Sequence, residues 1–289
     1  MNRRDVLKTL CVAGGAAVAA RPAHASESGA VVGERDLLGV LVDTTKCIGC
    51  RMCEYACADA NGLPTPDADV ELGPDRETTT TQWSVVRKYE TSAGPVTVKR
   101  QCMHCLQPAC TSACLTRAMY KTSEGPVIWR SNKCMGCRFC MVSCPFDVPR
   151  FEYHSAVPKI QKCVMCFSRL EAGERPACVS NCPAEALTFG RRADLLDEAR
   201  SRIYTNPDRY VHHVYGETEA GGTSWMYLSA VPFEEIGFRT DLGTTSYPMY
   251  TREFLYAVPL VLTIVPPFLL AINRATRKSH EGEETGGEA

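Results

Sequence analysis

Short runs of alternating hydrophobic and polar residues occupy the middle of the chain and predict brief strands. Two such runs, 118–121 and 127–129, are joined at Glu124-Gly125 and predict a hairpin. Residues 58–101 form a longer insertion, which begins rich in proline and aspartate and becomes strand-like on both sides of a turn at Gly94-Pro95. Hairpins are therefore expected both inside the insertion and after it.

After residue 185 the pattern predicts a strand, a helix and a second strand. The first strand covers 186–190, and the glycine-led segment 219–233 predicts a turn that leads into the other strand. Between them, residues 193–203 carry apolar side chains at helical spacing, which are Leu195, Leu196, Ala199 and Ile203. This stripe indicates contact with a core and carries no functional inference. The middle of the chain is thus expected to belong to the α+β class.

The longest apolar segment lies near the C-terminus. It runs from Phe254 to Ile272, nineteen residues without a charged side chain. At about 1.5 Å of rise per residue, such a helix spans roughly 28 Å, close to the hydrocarbon core of about 30 Å. Pro259, Pro266 and Pro267 oppose a water-exposed helix, but membranes tolerate them because neighbouring groups satisfy the freed carbonyls. We predict one transmembrane helix, with a buried core helix as the alternative.

The first residues predict an export signal. Arg3-Arg4 precede an apolar stretch from Leu10 to Ala20, which resembles a twin-arginine signal, and Ala23-His24-Ala25 offers a cleavage site. A cytosolic N-terminal helix is the alternative. Positive residues cluster just after the apolar segment, at 274–278. The chain is therefore predicted to sit in the inner membrane with its C-terminus cytoplasmic and its larger domain periplasmic.

Charge excludes one class of partner, and cysteine content indicates the chemistry. Lys and Arg total 32 against 33 Asp and Glu, so no basic excess favours nucleic acid. Cysteine is the unusual residue, because 17 are present and only Cys11, inside the predicted signal, stands outside four groups of four. The four groups are Cys47, Cys50, Cys53 and Cys57; Cys102, Cys105, Cys110 and Cys114; Cys134, Cys137, Cys140 and Cys144; and Cys163, Cys166, Cys178 and Cys182.

The spacing of these groups predicts iron–sulfur clusters. Groups one and three have the pattern C-x2-C-x2-C-x3-C, in which three close thiolates hold one cluster and the fourth holds its neighbour. Groups two and four keep the close pair and the final C-x3-C, so the order of groups repeats as A, B, A′, B′. Sixteen cysteines predict four [4Fe–4S] clusters, in tandem or nested ferredoxin-like units with short hairpins and helices.

Other uses of cysteine fit the pattern less well. Zinc usually takes two separated pairs, and a disulfide framework does not suit cysteines packed so locally. Covalent c-type haem needs C-x-x-C-H, and no cysteine here is followed by histidine. No catalytic constellation is evident, so a non-catalytic electron relay is favoured. The alternatives are an enzyme with an open iron site at one cluster, and a structural zinc protein.

Several side chains beside the cysteines are candidates for adjusting cluster potentials, since nearby cations and N–H donors raise them. His104, between two ligands, could hydrogen-bond a sulfur or titrate with electron transfer, or be a polar filler. The charged candidates, for which simple solvation is the alternative, are Lys46, Arg51, Lys133, Arg138 and Lys162.

The motifs at 101–105 (QCMHC), 136–149 (GCRFCMVSCPFDVP), 181–187 (NCPAEAL) and 215–232 resemble a known family. They are similar to the four-cluster electron-transfer subunits of the dimethyl-sulfoxide-reductase type, and most of all to those of hydrogenase 2 type nickel–iron hydrogenases. The resemblance implies that the last cysteine of each group crosses to a partner cluster. It implies set 1 (Cys47, Cys50, Cys53, Cys182), set 2 (Cys163, Cys166, Cys178, Cys57), set 3 (Cys102, Cys105, Cys110, Cys144) and set 4 (Cys134, Cys137, Cys140, Cys114).

The same resemblance implies the partners. One partner is a periplasmic hydrogenase, made of a small and a large subunit, and the other is a polytopic quinone-interacting membrane subunit. The resemblance implies that this chain relays electrons between the two. A molybdopterin catalytic subunit, as in formate dehydrogenase or a sulfur-compound reductase, is the alternative. The expected map is a signal peptide 1–25, a linker 26–37, a four-cluster domain 38–250 with its insertion, a transmembrane helix 251–274 and a cytoplasmic tail 275–289.

Overall fold

The computed structural model describes residues 37–284, with side chains as far as residue 276. The signal peptide, nearly all of the linker, Cys11 and the last five residues lie outside the described residues. The elements in chain order are strand β1 (Leu38–Asp43), helix α1 (Met52–Asn61), strands β2 (Val85–Thr91) and β3 (Gly94–Arg100), helix α2 (Ala109–Ser112), strands β4 (Met119–Lys121) and β5 (Val127–Trp129), helix α3 (Phe139–Val142), strands β6 (Arg150–Phe151) and β7 (Ile160–Gln161), helices α4 (Phe167–Glu171) and α5 (Ala177–Ser180), strand β8 (Leu187–Arg191), helix α6 (Arg192–Thr205), strand β9 (Trp225–Leu228) and helix α7 (Tyr247–Glu284).

A three-stranded sheet of order β8-β1-β9 forms the centre of the domain. Strand β1 runs antiparallel to β8 and parallel to β9, so that Val40 lies opposite both Phe189 and Trp225. Side chains of a strand alternate between the two faces of its sheet. Val40 and Val42 accordingly pack into an aromatic core with Trp225, while Leu41 packs on the other side against α6. Because both faces are covered, the strand is apolar throughout, which is typical of a buried central strand.

The predicted elements after residue 100 are present. Strands β4 and β5 pair antiparallel with Tyr120 opposite Ile128, and β8, α6 and β9 follow in the predicted order. In α6, Leu195, Leu196 and Ala199 are buried and Ile203 packs beside them, which confirms that the stripe faces the core.

The hairpin of the insertion turns earlier than predicted. Thr91 pairs with Gly94, so the turn residues are Ser92 and Ala93 and not Gly94-Pro95. Gly94 has a φ of 104°, a conformation that glycine adopts without strain, and so it begins the returning strand directly after a two-residue turn. Pro95 then lies opposite Glu90 inside the ladder.

Helix α7 is longer at both ends than the predicted span of 251–274. It begins at Tyr247 and continues to Glu284, within the segment assigned to the cytoplasmic tail, and it has three prolines in its interior. The most apolar 18-residue window within Tyr247–Thr276 has a mean hydropathy of 2.2, and none of that window is buried. A core helix would be mostly covered, so length, composition and exposure together fit a membrane span.

Candidate iron–sulfur sites

Short helices bring the four cysteine groups together in two pairs. Helix α1, in group one, packs against α5, in group four, whereas α2, in group two, packs against α3, in group three. The outer two groups of the sequence thus meet each other, and so do the inner two.

Two cavities are lined by four cysteines each, and both sets come from two different groups. One cavity is lined by Cys47, Cys50, Cys53 and Cys182. The other is lined by Cys114, Cys134, Cys137 and Cys140. These are the combinations named as set 1 and set 4. In each, a single cysteine from a distant group joins three closely spaced ones.

The remaining eight cysteines lie close to one another in the two other combinations. Burial raises the pKa of Cys178, to about 11, and the neighbouring thiolates of Cys57 and Cys166 add to the shift. Burial also raises the pKa of Cys163, and Cys57 contributes again. Cys57 of group one therefore lies among the thiols of group four, as set 2 requires.

Set 3 shows the same crossing between the inner groups. Burial raises the pKa of Cys110, to about 12, with contributions from Cys102 and Cys144. The pKa of Cys105 rises for the same main reason, and Cys144 is its largest electrostatic neighbour. Cys144 belongs to group three but lies among the thiols of group two.

Electrostatic neighbours also give the order of the sets. Cys53 of set 1 is influenced by Cys178 of set 2. Cys163 of set 2 is influenced by Cys102 of set 3, and Cys110 of set 3 by Cys140 of set 4. The four sets therefore form a series from 1 to 4 through the domain.

A common backbone turn shapes all four groups. The residue just before the second cysteine has a left-handed φ each time, at Gly49 (72°), His104 (48°), Gly136 (73°) and Met165 (55°). Such turns direct backbone N–H groups inwards, and the N–H of Met165 donates to Sγ of Cys163 at 3.4 Å. Hydrogen bonds of this kind favour a thiolate. The repeat seen in the sequence is thus also a repeat of conformation.

The geometry suits clusters better than single metal ions. All sixteen cysteines of the described chain are free of disulfides. Within the part of the chain that is described, no three His, Cys, Asp or Glu side chains converge closely enough to hold one ion. Zinc needs four ligands at about 2.3 Å from one centre, whereas a [4Fe–4S] cluster separates its four thiolates around a larger body. The cysteine-lined cavities therefore fit [4Fe–4S] clusters.

Most charged candidates from the sequence serve other contacts. Arg51 donates to Glu54 at 3.0 Å and to the Asp67 carbonyl at 2.6 Å, which ties it to the insertion. Arg138 is exposed and lies over the ring of Phe151. Lys46 is half-buried and Lys133 exposed. Two of the five candidates are enclosed beside the thiols. Lys162 is 2% exposed and donates to the carbonyl of Cys163 at 3.0 Å, and Arg51 is 7% exposed and also lines the set 1 cavity.

His104 is a buried, neutral side chain. Its Nδ1 accepts a hydrogen bond from the N–H of Val127 at 2.8 Å, which places the ring proton on Nε2. Burial holds its pKa well below the usual range, and Lys162 and Lys121 lower it further. Titration of this imidazole near neutral pH is therefore not supported.

Sequence reasoning missed three charged residues beside the thiols, of which Lys99 and Glu54 are buried and Lys121 is half-buried. Lys99 and Lys121 lie on strands β3 and β4 and approach the thiols from outside the cysteine groups. Glu54 lies within group one, but apart from Arg51 its partners come from the insertion. Spacing along the chain carries no signal for such contacts, because each joins segments that are distant in sequence.

Known proteins resemble this chain over nearly its whole length. A family model for a 4Fe–4S dicluster domain matches residues 96–192. The hydrogenase-2 operon protein HybA of Escherichia coli O157:H7 is 32% identical over 322 residues, which cover 97% of this chain and 97% of that protein. The chain belongs to the HybA family. Members of this family are iron–sulfur electron-transfer subunits, so this HybA-family chain carries [4Fe–4S] clusters and is not a catalytic subunit.

Two further relatives extend the comparison. A protein of Nitratidesulfovibrio vulgaris is 49% identical over 291 residues, which cover 97% of this chain and 78% of that protein. The iron–sulfur subunit of the nitrate-inducible formate dehydrogenase of Escherichia coli K12 is 33% identical over 197 residues, or 65% of this chain and 66% of that subunit. The HybA-type relative thus matches the whole length, and the formate dehydrogenase relative about two thirds.

Proposed function

We propose that this chain conducts electrons through four [4Fe–4S] clusters between a periplasmic catalytic subunit and a quinone-reactive membrane subunit. The catalytic partner is a nickel–iron uptake hydrogenase. The observation that carries the proposal is the series of four cysteine sets, one after another, with the membrane-type helix beside the last two. When bound, each cluster accepts and releases one electron at a time.

The sixteen cysteines act as ligands in the crossed sets 1 to 4. Support comes from the two cysteine-lined cavities and from the thiols that influence one another across groups. The packing of α1 on α5 and of α2 on α3 supports two ferredoxin-like units, one nested in the other. The cluster domain would then occupy residues 38–246 and end where α7 begins, a few residues before the bound of 250 expected from the sequence.

Each end of the series reaches the surface beside exposed apolar side chains. At set 1, Cys50 is exposed and lies between Ile48, 68% exposed, and Met52, 44% exposed. At set 4, the equivalent residues are Met135, 64% exposed, and Phe139, 55% exposed. Apolar surface left uncovered by the described residues is typical of an interaction site. One partner would dock at each end.

The membrane helix distinguishes the two ends. A groove runs between the first turns of α7 and the surface of α2 and α3, lined among others by Phe139, Val142, Met249 and Phe254. The Oγ of Ser246, just before the helix, donates to the Gln107 side chain at 2.7 Å. The set 4 end therefore lies on the side from which the helix leaves the domain. The quinone-reactive subunit would dock there, and the catalytic subunit at set 1.

The orientation follows from charge and from the N-terminal sequence. A twin-arginine signal at 1–25 would export the chain after its cofactors are inserted, and Arg274, Arg277 and Lys278 would hold the C-terminus on the cytoplasmic side. The domain then works in the periplasm, and the last residues form a cytoplasmic tail. A molybdopterin enzyme remains the second candidate partner, because the formate dehydrogenase relative matches 65% of the chain.

A deletion strain tests the function. Without this chain, hydrogen oxidation with a small artificial dye should persist, since dye takes electrons directly from catalytic subunits, while hydrogen-dependent quinone reduction in membranes should disappear. A complemented strain serves as the control. If both activities persist in the deletion strain, this chain does not carry the electrons from hydrogen to quinone. Loss of formate-dependent quinone reduction, with hydrogen metabolism intact, would keep the relay and replace the hydrogenase by a molybdopterin enzyme.

A further inference from the structure

Lys99 is enclosed in the interior of the domain. The residue is 2% exposed, on strand β3, and its Nζ lies 4.7 Å from the centre of the Trp225 ring. It donates one hydrogen bond, to Oε1 of Gln101 at 2.9 Å. Gln101 in turn donates to the Tyr227 hydroxyl at 2.7 Å, and that hydroxyl donates to the carbonyl of Lys99 at 3.0 Å. This closed circuit fixes the position of the ammonium.

Among the described residues, no carboxylate balances the charge of Lys99. Among the residues that the structure describes, none lies within ion-pair distance of its Nζ. A buried ammonium without a counter-charge is strongly unfavourable, and a lysine so placed normally loses its proton. Some other negative group must therefore be close.

Cysteine thiolates of two sets provide that group. Lys99 lines the set 1 cavity together with Cys47, Cys53 and Cys182. Cys178 of set 2 belongs to the same core cluster as Trp225, the ring that Lys99 contacts, and the thiolates of Cys178 and Cys163 influence Lys99 electrostatically. Its position is thus between the two sets, at the point where Cys53 and Cys178 also influence each other.

The electrostatic balance keeps the ammonium charged. Burial lowers the pKa of Lys99, but the thiolates of Cys178 and Cys53 outweigh burial and raise the pKa above its usual value. Four thiolates and a cluster core carry a net negative charge, so a loaded site strengthens the same attraction.

We propose that Lys99 is a shared internal counter-charge of the clusters in sets 1 and 2, and that it raises the reduction potential of both. The proposal rests on the ligand sets given above. Adding an electron to either cluster increases its negative charge, and a fixed cation nearby stabilises that reduced form. Lys99 thereby acts on the relay through the potentials of two clusters, and its burial leaves it little surface for contact with a partner subunit.

Two other lysines provide controls for this effect. Lys121 donates to the carbonyl of Cys105 at 2.8 Å, and the thiolates that influence it are those of set 3. Lys88 lies on the same hairpin as Lys99, but its side chain is 42% exposed and pairs with Glu90 at 3.1 Å. Removal of the charge of Lys121 should change the potential of the set 3 cluster. Removal of the charge of Lys88 should change the potential of none of the four clusters.

The experiment is a redox titration of the anaerobically purified full-length protein, followed by electron paramagnetic resonance. In Lys99→Met, two of the four components should shift to lower potential and the other two should remain. Lys121→Met should shift a different component, and Lys88→Met none. An unchanged titration in Lys99→Met, or an equal shift of all four components, would overturn the proposal.

The clusters of the Lys99→Met protein could fail to assemble, and iron content together with a charge-retaining variant tests the proposal in that case. If Lys99→Met loses iron, Lys99→Arg should retain it, because the arginine keeps the positive charge. Equal iron loss in both variants would show that shape and not charge matters, and would overturn the proposal. The wild-type protein tests the proposed function independently, since a wild-type chain without four components refutes the ligand sets whatever Lys99 does.

Discussion

At the residue scale, a single buried carboxylate holds the insertion against the first cysteine group. Glu54 is 1% exposed, and its two oxygens accept hydrogen bonds from Arg51 at 3.0 Å, Arg76 at 2.6 Å and Gln82 at 2.9 Å. The backbone N–H of Val86 donates to it as well, at 2.5 Å. Because Glu54 is next to Cys53, this network also orients a set 1 thiol.

Replacement of Glu54 by Gln should be strongly destabilising. It leaves the guanidinium groups of Arg51 and Arg76 buried without a negative partner, and breaking a buried pair in this way costs about 3–5 kcal/mol. The free energy of unfolding by denaturant, compared at equal m-value, measures the loss. Glu90→Gln is the control, because Glu90 is 75% exposed and its pair with Lys88 contributes at most about 1 kcal/mol. Equal effects of the two variants would contradict this role of Glu54.

Crossed ligation is also tested at single residues. Cys57→Ser should remove or alter the same cluster as Cys163→Ser, although Cys57 belongs to the first group, because both lie in set 2. Electron paramagnetic resonance spectra of the two variants should lack the same component, and Cys114→Ser should lack another. If Cys57→Ser instead affects the cluster of Cys47 and Cys50, the crossing is wrong.

The residues whose role shows in their spacing along the chain could be predicted. The residues whose role depends on contacts between distant parts of the chain could not. The sixteen cysteines are visible because three close thiolates form one local ligand unit. Glu54 and Lys99 depend on contacts with residues that lie 22 or more positions away, such as Arg76 and Cys178. Their polar type suggests surface positions, and only the packed structure places them inside.

At the element scale, the strongly patterned segments were predicted and the shortest ones were not. The β4–β5 hairpin and α6 have clear periodicity and turn residues. Helices α2, α3 and α5 have only four residues each, too few for a helical pattern. Each lies within a cysteine group and contains one of its cysteines. Strands β6 and β7 have two residues each and are equally invisible in the sequence.

Helix α7 yields the prediction at this scale. A chain that ends at Ser246 keeps the central sheet and all sixteen cysteines and loses the exposed apolar helix. We expect it to remain soluble and to keep its visible iron–sulfur absorbance, when expressed without partner subunits. Fractionation of membranes and supernatant measures this, with the full-length chain as the control. A truncated chain that stays wholly on washed membranes would contradict the assignment of α7 as the anchor.

At the scale of the whole molecule, the domain is a series of four cysteine sets with an exposed apolar surface at each end. The sequence repeat predicted the number of sets, and the family resemblance implied their membership. The order of the sets could not be predicted, because it depends on contacts between helices that are distant in sequence. Helix α1 meets α5 across more than a hundred residues, and α2 meets α3 across about thirty. The position of α7 beside the set 4 end likewise appears only in the folded chain.

The number of electrons that one chain can hold tests the four-cluster relay most directly. We predict that the anaerobically purified full-length protein contains about sixteen irons and accepts about four electrons in one-electron steps. Metal analysis and a reductive titration followed by visible absorbance provide both numbers on one sample. Stoichiometric zinc with little iron, or a chain that saturates after one or two electrons with its iron complete, would contradict the relay.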